Sequence, residues 1–457
     1  MLKNAFALAL PFALAACGGS LADSKATTDN APHVIVADID TTINPYHEFL
    51  YAGSEIYKDH APDAVTPEVL AALGVRDSNV IEVTRTGNLV KDKKTDAALW
   101  SRIRRGKPYW IKGTNVVAVS FCDGYPMLEP DTGKNPHGVG TSAAVLTANP
   151  DAVILFVEFC DSIGAADAEK YAFSHPAVDI LTTSYGPAVP VAGTPPLPLP
   201  EGDDLSYDAV VQMGKLHFNS AGNGPGFTPL VGRAGQWWSI GITGSEEYSS
   251  DGVQLLSANY ADFVSDYTET LPYCMDCEKG LDDGVAGTSF STPRSAGVAS
   301  KVILEARRAL NHQGGIVIAD GAALMVSAGG RTISNWQVRR ALEEAAFTGY
   351  GVADYDPVAG AGDLVGLPFN DVAPWLQMGW GDLTADTAKG VVAEALAQLG
   401  FGTPTRTKDA GFCEYQAMNM RVRQNFFDAY ATGGTNVVPD PNPYIFCDTA
   451  LPTEPAV

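Results

Sequence analysis

The stretch Gly287-Thr288-Ser289-Phe290-Ser291-Thr292-Pro293 decides how this chain is interpreted. It follows a glycine-rich loop and opens a segment, 294–310, in which small and apolar residues recur at helical spacing. A serine at a loop-to-helix junction holds its hydroxyl clear of the backbone, and nearby N–H groups point at any oxyanion formed there. Pro293 is tolerated in the first turn of such a helix. Ser289 is therefore the candidate nucleophile of an acyl-transfer site.

Five short apolar runs precede this motif. They are predicted to be buried strands, because they are rich in β-forming residues and bounded by turn residues. These runs are Val34–Ile39, Val116–Phe121, Val153–Phe159, Ile180–Thr183 and Trp238–Ile242. The segments between them are long enough for crossover helices. The alternation predicts an α/β fold: a doubly wound, mostly parallel sheet with helices on both faces, in three layers. Functional residues are then expected at the carboxyl ends of the strands.

The serine motif resembles the nucleophile motif of the subtilisin family of serine peptidases (subtilases, peptidase family S8), Gly-Thr-Ser-x-x-x-Pro. In that family Asp precedes His, and His precedes Ser. The run from Asp40 to Ile43 is similar to the family's Asp-Thr-Gly-Ile, with Thr in place of Gly. His137-Gly138 matches only the first two residues of the family's His-Gly-Thr-His-Val-Ala-Gly. The resemblance implies a triad of Asp40, His137 and Ser289; Asp38, on the same strand face as Asp40, is a minor alternative to it.

Two further blocks support the resemblance, which runs in the family's order from residue 34 to about 395. The segment 220–224, Ser-Ala-Gly-Asn-Gly, is similar to the family's oxyanion segment, so Asn223 is expected to bind the oxyanion together with the backbone N–H of Ser289. The segment Thr183-Ser184-Tyr185-Gly186 resembles the edge that pairs with an extended substrate. Together with Ala221 and Gly222, these four residues are the expected substrate-binding set.

The function that the resemblance implies is a serine endopeptidase that hydrolyses peptide bonds through an acyl-enzyme intermediate. No organic cofactor is required. Structural calcium remains open, but no motif with EF-hand spacing supports it, and we predict no metal ligands. Two alternatives stay open: a catalytically inactive peptide-binding surface lipoprotein with the same fold, and an esterase or other serine hydrolase.

The first residues are typical of an export signal. Lys3 provides a short positive region, residues 5–16 are apolar but too short to span a bilayer, and Cys17 is followed by Gly-Gly-Ser. This pattern resembles the lipobox of bacterial lipoproteins, in which the Cys17 thiol is acylated. It predicts an exported chain that contacts the membrane through the lipid anchor only, at the outer membrane if the cell is Gram-negative. The predicted organisation is signal 1–17, tether 18–32, catalytic domain 33–398 with an insert at 48–110, and an appendix at 399–457.

The six remaining cysteines are an even number, which in an oxidising compartment predicts three disulfides with fifteen connectivities. The candidates are Cys122, Cys160, Cys274, Cys277, Cys413 and Cys447. Cys122 and Cys160 each follow the end of a predicted strand, so we pair them. Cys274 and Cys277 form a CxxC that no second CxxC or neighbouring His completes as a zinc site, so a local disulfide is expected. Cys413 and Cys447 would then close a loop in the appendix.

The formal net charge of −23 excludes nucleic acid as an expected partner, because an acidic surface repels the phosphate backbone. A peptide or protein substrate is the expected partner. The insert at 48–110 departs from this acidity with a basic cluster, Arg102, Arg104, Arg105 and Lys107. This cluster is interpreted as a solvated helix face, with a site for acidic substrates as the alternative.

Overall fold

The structure is a computed structural model. It describes residues 31–123, 126–131, 133–185, 203–223, 232–236, 238–248, 252–255, 261–319, 321–347, 379–383 and 390–406. Cys17, Gly186, Cys413 and Cys447 lie outside these ranges, so the predictions made for them stay predictions.

A large sheet organises the described residues. The strands are β1 Ile35–Asp40, β2 Val80–Ile81, β3 Tyr109–Ile111, β4 Val116–Ser120, β5 Val153–Glu158, β6 Ile180–Thr183, β7 Leu216–Ser220, β8 Ile240–Tyr248, β9 Gly252–Leu255, β10 Phe263–Asp266, β11 Thr268–Leu271, β12 Asp282–Ala286, β13 Val317–Ala319, β14 Ala322–Ala328 and β15 Arg331–Ser334. Ten of them form one sheet in the order β10-β8-β7-β6-β1-β5-β4-β3-β2, with β9 beside β8. Only the β3–β4 and β8–β9 pairs of this sheet are antiparallel. The predicted mostly parallel sheet is confirmed.

Helices cover both faces of the sheet. They are α1 Pro67–Ala72, α2 Leu89–Thr95, α3 Ala97–Trp100, α4 His137–Ala148, α5 Ser162–Ser174, α6 Asp203–Tyr207, α7 Thr288–Leu310, α8 Asn335–Ala345 and α9 Val391–Leu396. One core contains the apolar side of α4 and α7, and a second core contains α5 and α1. The two cores lie on opposite faces of the sheet, because successive side chains of a strand point to opposite faces. In β1, Val36 belongs to the first core, while Ile35 and Ala37 belong to the second. A strand buried on both faces has to be apolar throughout, as the sequence of β1 is up to Asp38.

The chain order places a switch point beside β1. The strands β2 to β5, which follow β1 in the chain, lie on one side of it, and the later strands of this sheet, from β6 onward, lie on the other side. Strand β1 therefore pairs with β5 on one side and with β6 on the other. In such sheets the crevice outside the carboxyl ends at the switch point is where ligands bind. Asp40, the last residue of β1, stands at that point.

The insert at 48–110 lengthens the sheet. Its strands β2 and β3 extend the sheet beyond β4, with β3 antiparallel to β4 and β2 parallel to β3. The sequence alone predicts a long excursion here, but two and three residues are too few for a strand pattern to stand out.

Two disulfides are present in the described residues. Cys122 and Cys160 are joined just beyond the carboxyl ends of β4 and β5, which are neighbouring parallel strands. Cys274 and Cys277 are joined within the connection between β11 and β12.

Within the part of the chain that the structure describes, no helix combines the length and apolar character of a membrane span.

Candidate active site

Asp40 and His137 meet at the switch point. His137 is the first residue of α4, and its Nδ1 lies 2.9 Å from both carboxylate oxygens of Asp40. The Asp40 side chain is 2% exposed and that of His137 is 20% exposed, so the carboxylate is buried and the imidazole reaches solvent. The next residue, Gly138, has no room for a side chain: a Cβ there would lie 2.5 Å from the carbonyl oxygen of Thr42. The backbone of α4 can therefore approach the end of β1 only with glycine at this position.

The electrostatics of this pair raise the pKa of His137. Burial alone would lower the pKa of His137, but the Asp40 carboxylate, by its charge and its hydrogen bond, outweighs burial and raises that pKa above its ordinary value. A histidine with a raised pKa is the stronger base, and its protonated form is stabilised next to Asp40. The pair can accept a proton and hold the resulting imidazolium.

Asp38 lies beneath this pair. Its Oδ2 accepts hydrogen bonds from the hydroxyls of Thr141, at 2.9 Å, and Ser142, at 2.8 Å, both on α4. The side chain is 1% exposed. Burial first, and the charge of Asp40 second, raise the pKa of Asp38 to about 8. Asp38 is thus an anchor between β1 and α4, and the hydrogen bond to His137 belongs to Asp40.

Replacing Asp38 with asparagine is expected to make the protein more stable at pH 8 than the wild type. A carboxyl whose pKa is raised in the folded state holds its proton more tightly than in the unfolded chain. Its contribution to the free energy of unfolding therefore falls as the pH rises from about 4 to about 8, by at most ~1.4 kcal/mol per pH unit. Asparagine keeps an acceptor oxygen for the two hydroxyls and has no proton to lose. Urea unfolding at pH 5 and pH 8 measures this: the gain over the wild type should grow with pH, and a constant difference would contradict it.

Ser289 stands at the start of α7. The residue before the helix, Gly287, has φ +141°, a conformation that favours glycine and turns the chain into the helix. The Ser289 hydroxyl donates to the carbonyl oxygen of Ser184 at 3.3 Å, and the Ser184 hydroxyl donates to the carbonyl oxygen of Ser289 at 2.7 Å. The ring of Phe290 lies 5.3 Å from that of His137, centroid to centroid. The structure thus brings Ser289 to the same crevice, with its hydroxyl bonded to Ser184 and not to His137.

Asn223 is held in a defined orientation. Its Oδ1 accepts from the backbone N–H of Thr288 at 2.9 Å and from the Thr288 hydroxyl at 2.8 Å. A backbone N–H can only donate, so the atom that it contacts has to be the amide oxygen. The amide nitrogen then lies on the other side, where a Cβ on Gly287 would be 3.2 Å from it. The NH₂ group of Asn223 therefore lies next to Gly287, two residues before Ser289 in the chain.

The predicted substrate-binding residues differ in whether their side chains or only their backbone groups are available to a substrate. The Thr183 side chain is buried and bonds to His217 and Asn219, so only its backbone can serve a substrate. The Tyr185 hydroxyl donates to Glu169 at 2.9 Å, so it is engaged within the protein. Ser184 is at the site itself, through both of its bonds to Ser289.

The oxyanion segment contributes backbone as well. Ala221 is buried, and Gly222, with φ +100°, has open space where a side chain would be. These two residues bring Asn223 from the end of β7 to Thr288. The sequence places this segment between His and Ser but does not predict β7 itself.

The fold brings a histidine to the CxxC. A nitrogen of His47 and the sulfurs of Cys274 and Cys277 lie within 4.8 Å of one another, a set that could hold a metal ion. In sequence these residues are far apart, which is why the sequence shows no His near the pair. Here the sulfurs form a disulfide, while the His47 ring nitrogens contact Phe49 N–H and the Gly280 carbonyl. With the disulfide formed, these atoms are engaged in other bonds, and they are not assigned as metal ligands.

Searches of protein-family models and of curated proteins found no match to this chain. Several solved structures are similar to it. The prenylagaramide maturation protease PagA is 14% identical, over 81% of this chain and 95% of that one, with a TM-score of 0.41. Fervidolysin from Fervidobacterium pennivorans, a keratinolytic enzyme related to subtilisin, is 14% identical, over 80% of this chain and 43% of its own, with a TM-score of 0.42. The PatG macrocyclase in complex with peptide is 14% identical, over 82% and 94%, with a TM-score of 0.43. At 14% identity, these three likenesses are likenesses of fold alone.

Proposed function

We propose that this protein is a serine endopeptidase with Asp40, His137 and Ser289 as its catalytic triad. The observation that supports it most is the pairing of a buried carboxylate with His137 Nδ1 at the switch point of the sheet, beside α7, whose second residue is Ser289. A carboxylate can only accept, so Nδ1 carries a proton and Nε2 presents its lone pair. This is the tautomer that a general base for a serine needs.

The proposed reaction is acyl transfer. As the Ser289 Oγ attacks the peptide carbonyl carbon, its proton passes to His137 Nε2. The negative charge that develops on the carbonyl oxygen is held by the amide of Asn223 and the backbone N–H of Ser289. His137 then gives the proton to the leaving amine as the C–N bond breaks. Water, activated by the same imidazole, hydrolyses the acyl-enzyme and releases Ser289.

Reaction with a fluorophosphonate probe tests the proposal. An activated Ser289 would form a bond to phosphorus with loss of fluoride, and the protein would become labelled. Ser289→Ala should abolish labelling. Ser291→Ala is the matched control, because Ser291 lies in the same motif but its hydroxyl is buried and bonded to the carbonyl oxygen of Asp266. Labelling that survives in Ser289→Ala would reject Ser289 as the nucleophile.

A second candidate function is peptide binding without turnover. The observation that favours it is the bond from the Ser289 hydroxyl to Ser184, because a nucleophile needs that hydroxyl on His137. Catalytic hydrogen bonds often tighten only when substrate binds, so the peptidase remains the better supported function. Folded wild-type protein that binds peptides, takes no label and releases no product would establish the second candidate. Turnover of esters but not of peptides would instead assign an esterase.

We also propose that the chain is exported and anchored through acylated Cys17, on the signal-like pattern of residues 1–17. Labelled palmitate should be incorporated by the wild type and not by Cys17→Ser.

A further inference from the structure

A cavity of about 370 Å³ lies in the insert, outside the site described above. Four cationic residues line it, all of them exposed: Arg76, Arg102, Arg104 and Lys107. They come from two separate segments, one between α1 and β2 and the other between α3 and β3. We call this cavity, with Ile103 and Tyr109 in its wall, the basic pocket.

The charge of the basic pocket is the reverse of the protein's. The chain has 30 Lys and Arg against 53 Asp and Glu, so an anion is repelled by most of the surface. Among the ion pairs of the described residues, none involves the four cations. Neighbouring Arg105 is a contrast, since it pairs with Asp123 and Asp167. From the sequence, this cluster is interpreted as a solvated helix face. The convergence of the four cationic residues on one cavity favours an anion site instead.

The loops that carry these cations are fixed. The Tyr109 hydroxyl donates to the Arg102 carbonyl at 3.3 Å and accepts from the Arg104 backbone N–H at 3.1 Å. The Asn79 side chain joins the other segment to it, donating to the Pro108 carbonyl at 3.1 Å. Ile103 and Tyr109 are themselves buried, at 2% and 6% exposure. A site that is formed before its ligand arrives loses less entropy on binding.

The register of the sheet relates the basic pocket to the triad. Asp40 pairs with Glu158, Glu158 pairs with Ser120, and the backbone N–H of Gly106 donates to the carbonyl of Ser120. Lys107 therefore follows a residue that is level with Asp40, three strand spacings away. At about 4.8 Å per spacing, the backbones are roughly 14 Å apart along the same edge of the sheet. An extended peptide covers that distance in about four to five residues.

The basic pocket and the substrate edge lie on opposite sides of β1. Ser184 follows β6, which borders β1 on one side, while β5, β4 and β3 lead to the pocket on the other. We propose that the basic pocket binds an Asp or Glu side chain of the peptide substrate, about four to six residues from the scissile bond, on the side opposite to the part that pairs at Ser184. This inference rests on the proposed peptidase function. It specifies the substrate class as peptides that carry an acidic residue about four to six positions from the scissile bond.

Paired peptide substrates test this inference. Each pair is identical except for Glu or Gln, placed in turn at the positions three to seven residues beyond the scissile bond. For the wild type, kcat/KM should favour Glu at one or two of these positions, roughly twofold to fivefold, the scale of contacts between exposed charges. In Arg102→Glu/Lys107→Glu the preference should vanish or reverse. The matched control is Lys91→Glu/Lys94→Glu, which reverses two exposed lysines of α2 outside the pocket and should leave the preference in place.

Binding of the same peptides to the Ser289→Ala chain, followed by fluorescence polarisation, separates the two proposals. Cleavage with equal Glu-to-Gln ratios in the wild type and the double variant overturns the pocket and leaves the peptidase standing. Glu-dependent binding that Arg102→Glu/Lys107→Glu removes, without any cleavage by the wild type, supports the pocket while the peptidase fails. Displacement of the Glu peptide by inorganic phosphate, at concentrations that leave Gln-peptide cleavage unchanged, would assign the pocket to phosphate and overturn the carboxylate.

Discussion

Replacing Asp40 with asparagine is expected to lower kcat by about 10⁴-fold, the scale of this change in a serine-protease triad, while the protein stays folded. The reason lies in the contacts of Asp40. Its Oδ1 accepts from the Thr41 backbone N–H at 2.6 Å and from the Thr41 hydroxyl at 3.1 Å. Asparagine would keep its oxygen there, which turns its NH₂ toward His137 Nδ1. An NH₂ group donates, so the imidazole would have to carry its proton on Nε2 and could no longer accept one from Ser289.

The measurement is the turnover of a peptide substrate at saturation, with Asp161→Asn as the matched control. Asp161 caps α5 by accepting from the Gly164 backbone N–H, and asparagine is an equally good cap. The control should keep wild-type turnover. Asp40→Asn that turns over within tenfold of the wild type would reject Asp40 as the residue that orients the histidine.

Replacing Arg307 with methionine is expected to destabilise the protein by about 3–5 kcal/mol, the usual result of leaving a buried charge without its partner. Arg307 and Asp179 are both fully buried. Their two contacts, Nη2 to Oδ1 at 2.6 Å and Nη1 to Oδ2 at 2.9 Å, form a bidentate pair. Asp179 also accepts from the backbone N–H of Ile35 at 2.9 Å. The substitution would strand the carboxylate and release the end of α7 from the start of β1.

Urea unfolding of the variant measures this effect, with Arg308→Met as the matched control. Arg308 is the next residue of α7, but its side chain is 43% exposed and its pairs with Asp151 and Glu305 lie at the surface. Exposed pairs contribute about 0–1 kcal/mol, so the control should change little. Adding Asp179→Leu to Arg307→Met should recover part of the loss, because the stranded charge is then gone. Equal effects of the two arginine substitutions would contradict the role given to the buried pair.

The sheet could be predicted from the sequence because its central strands are short, apolar and buried on both faces. The predicted strands at Val116, Val153 and Ile180 begin at the residues where the structure has them. The strand β7 was not predicted, since Leu216–Ser220 contains His217 and Asn219, whose side chains are buried and paired by tertiary contacts. Polar residues of this kind hide a strand from any pattern of hydrophobicity.

The candidate site divides along similar lines. Motifs of a few residues pointed to Asp40, His137, Ser289 and Asn223. The structure puts Asp40 in contact with His137, and Asn223 in contact with the start of α7, where Ser289 lies. The anchoring by Asp38 could not be seen, because the hydroxyls that bind it lie more than 100 positions away, on α4. Thr141 and Ser142 both lie in the segment after His137 that departs from the family pattern. This departure was the only feature of the sequence that hinted at a different contact there. The convergence of cationic residues on the basic pocket likewise depends on the pairing of β2 with β3, and strands of two and three residues are too short to be predicted from the sequence.

The central position of β1 has a consequence for how the chain acquires its structure. Ile35 pairs with Val153, 118 positions later, and Val36 pairs with Ile180, 144 positions later. Contacts this distant in sequence require large loops to close before any stabilisation is gained, which makes folding slow. During synthesis the first strand to emerge thus waits for more than a hundred residues before either neighbour exists. Ser289 lies on α7, so a chain that ends before α7 would lack the serine of the proposed triad.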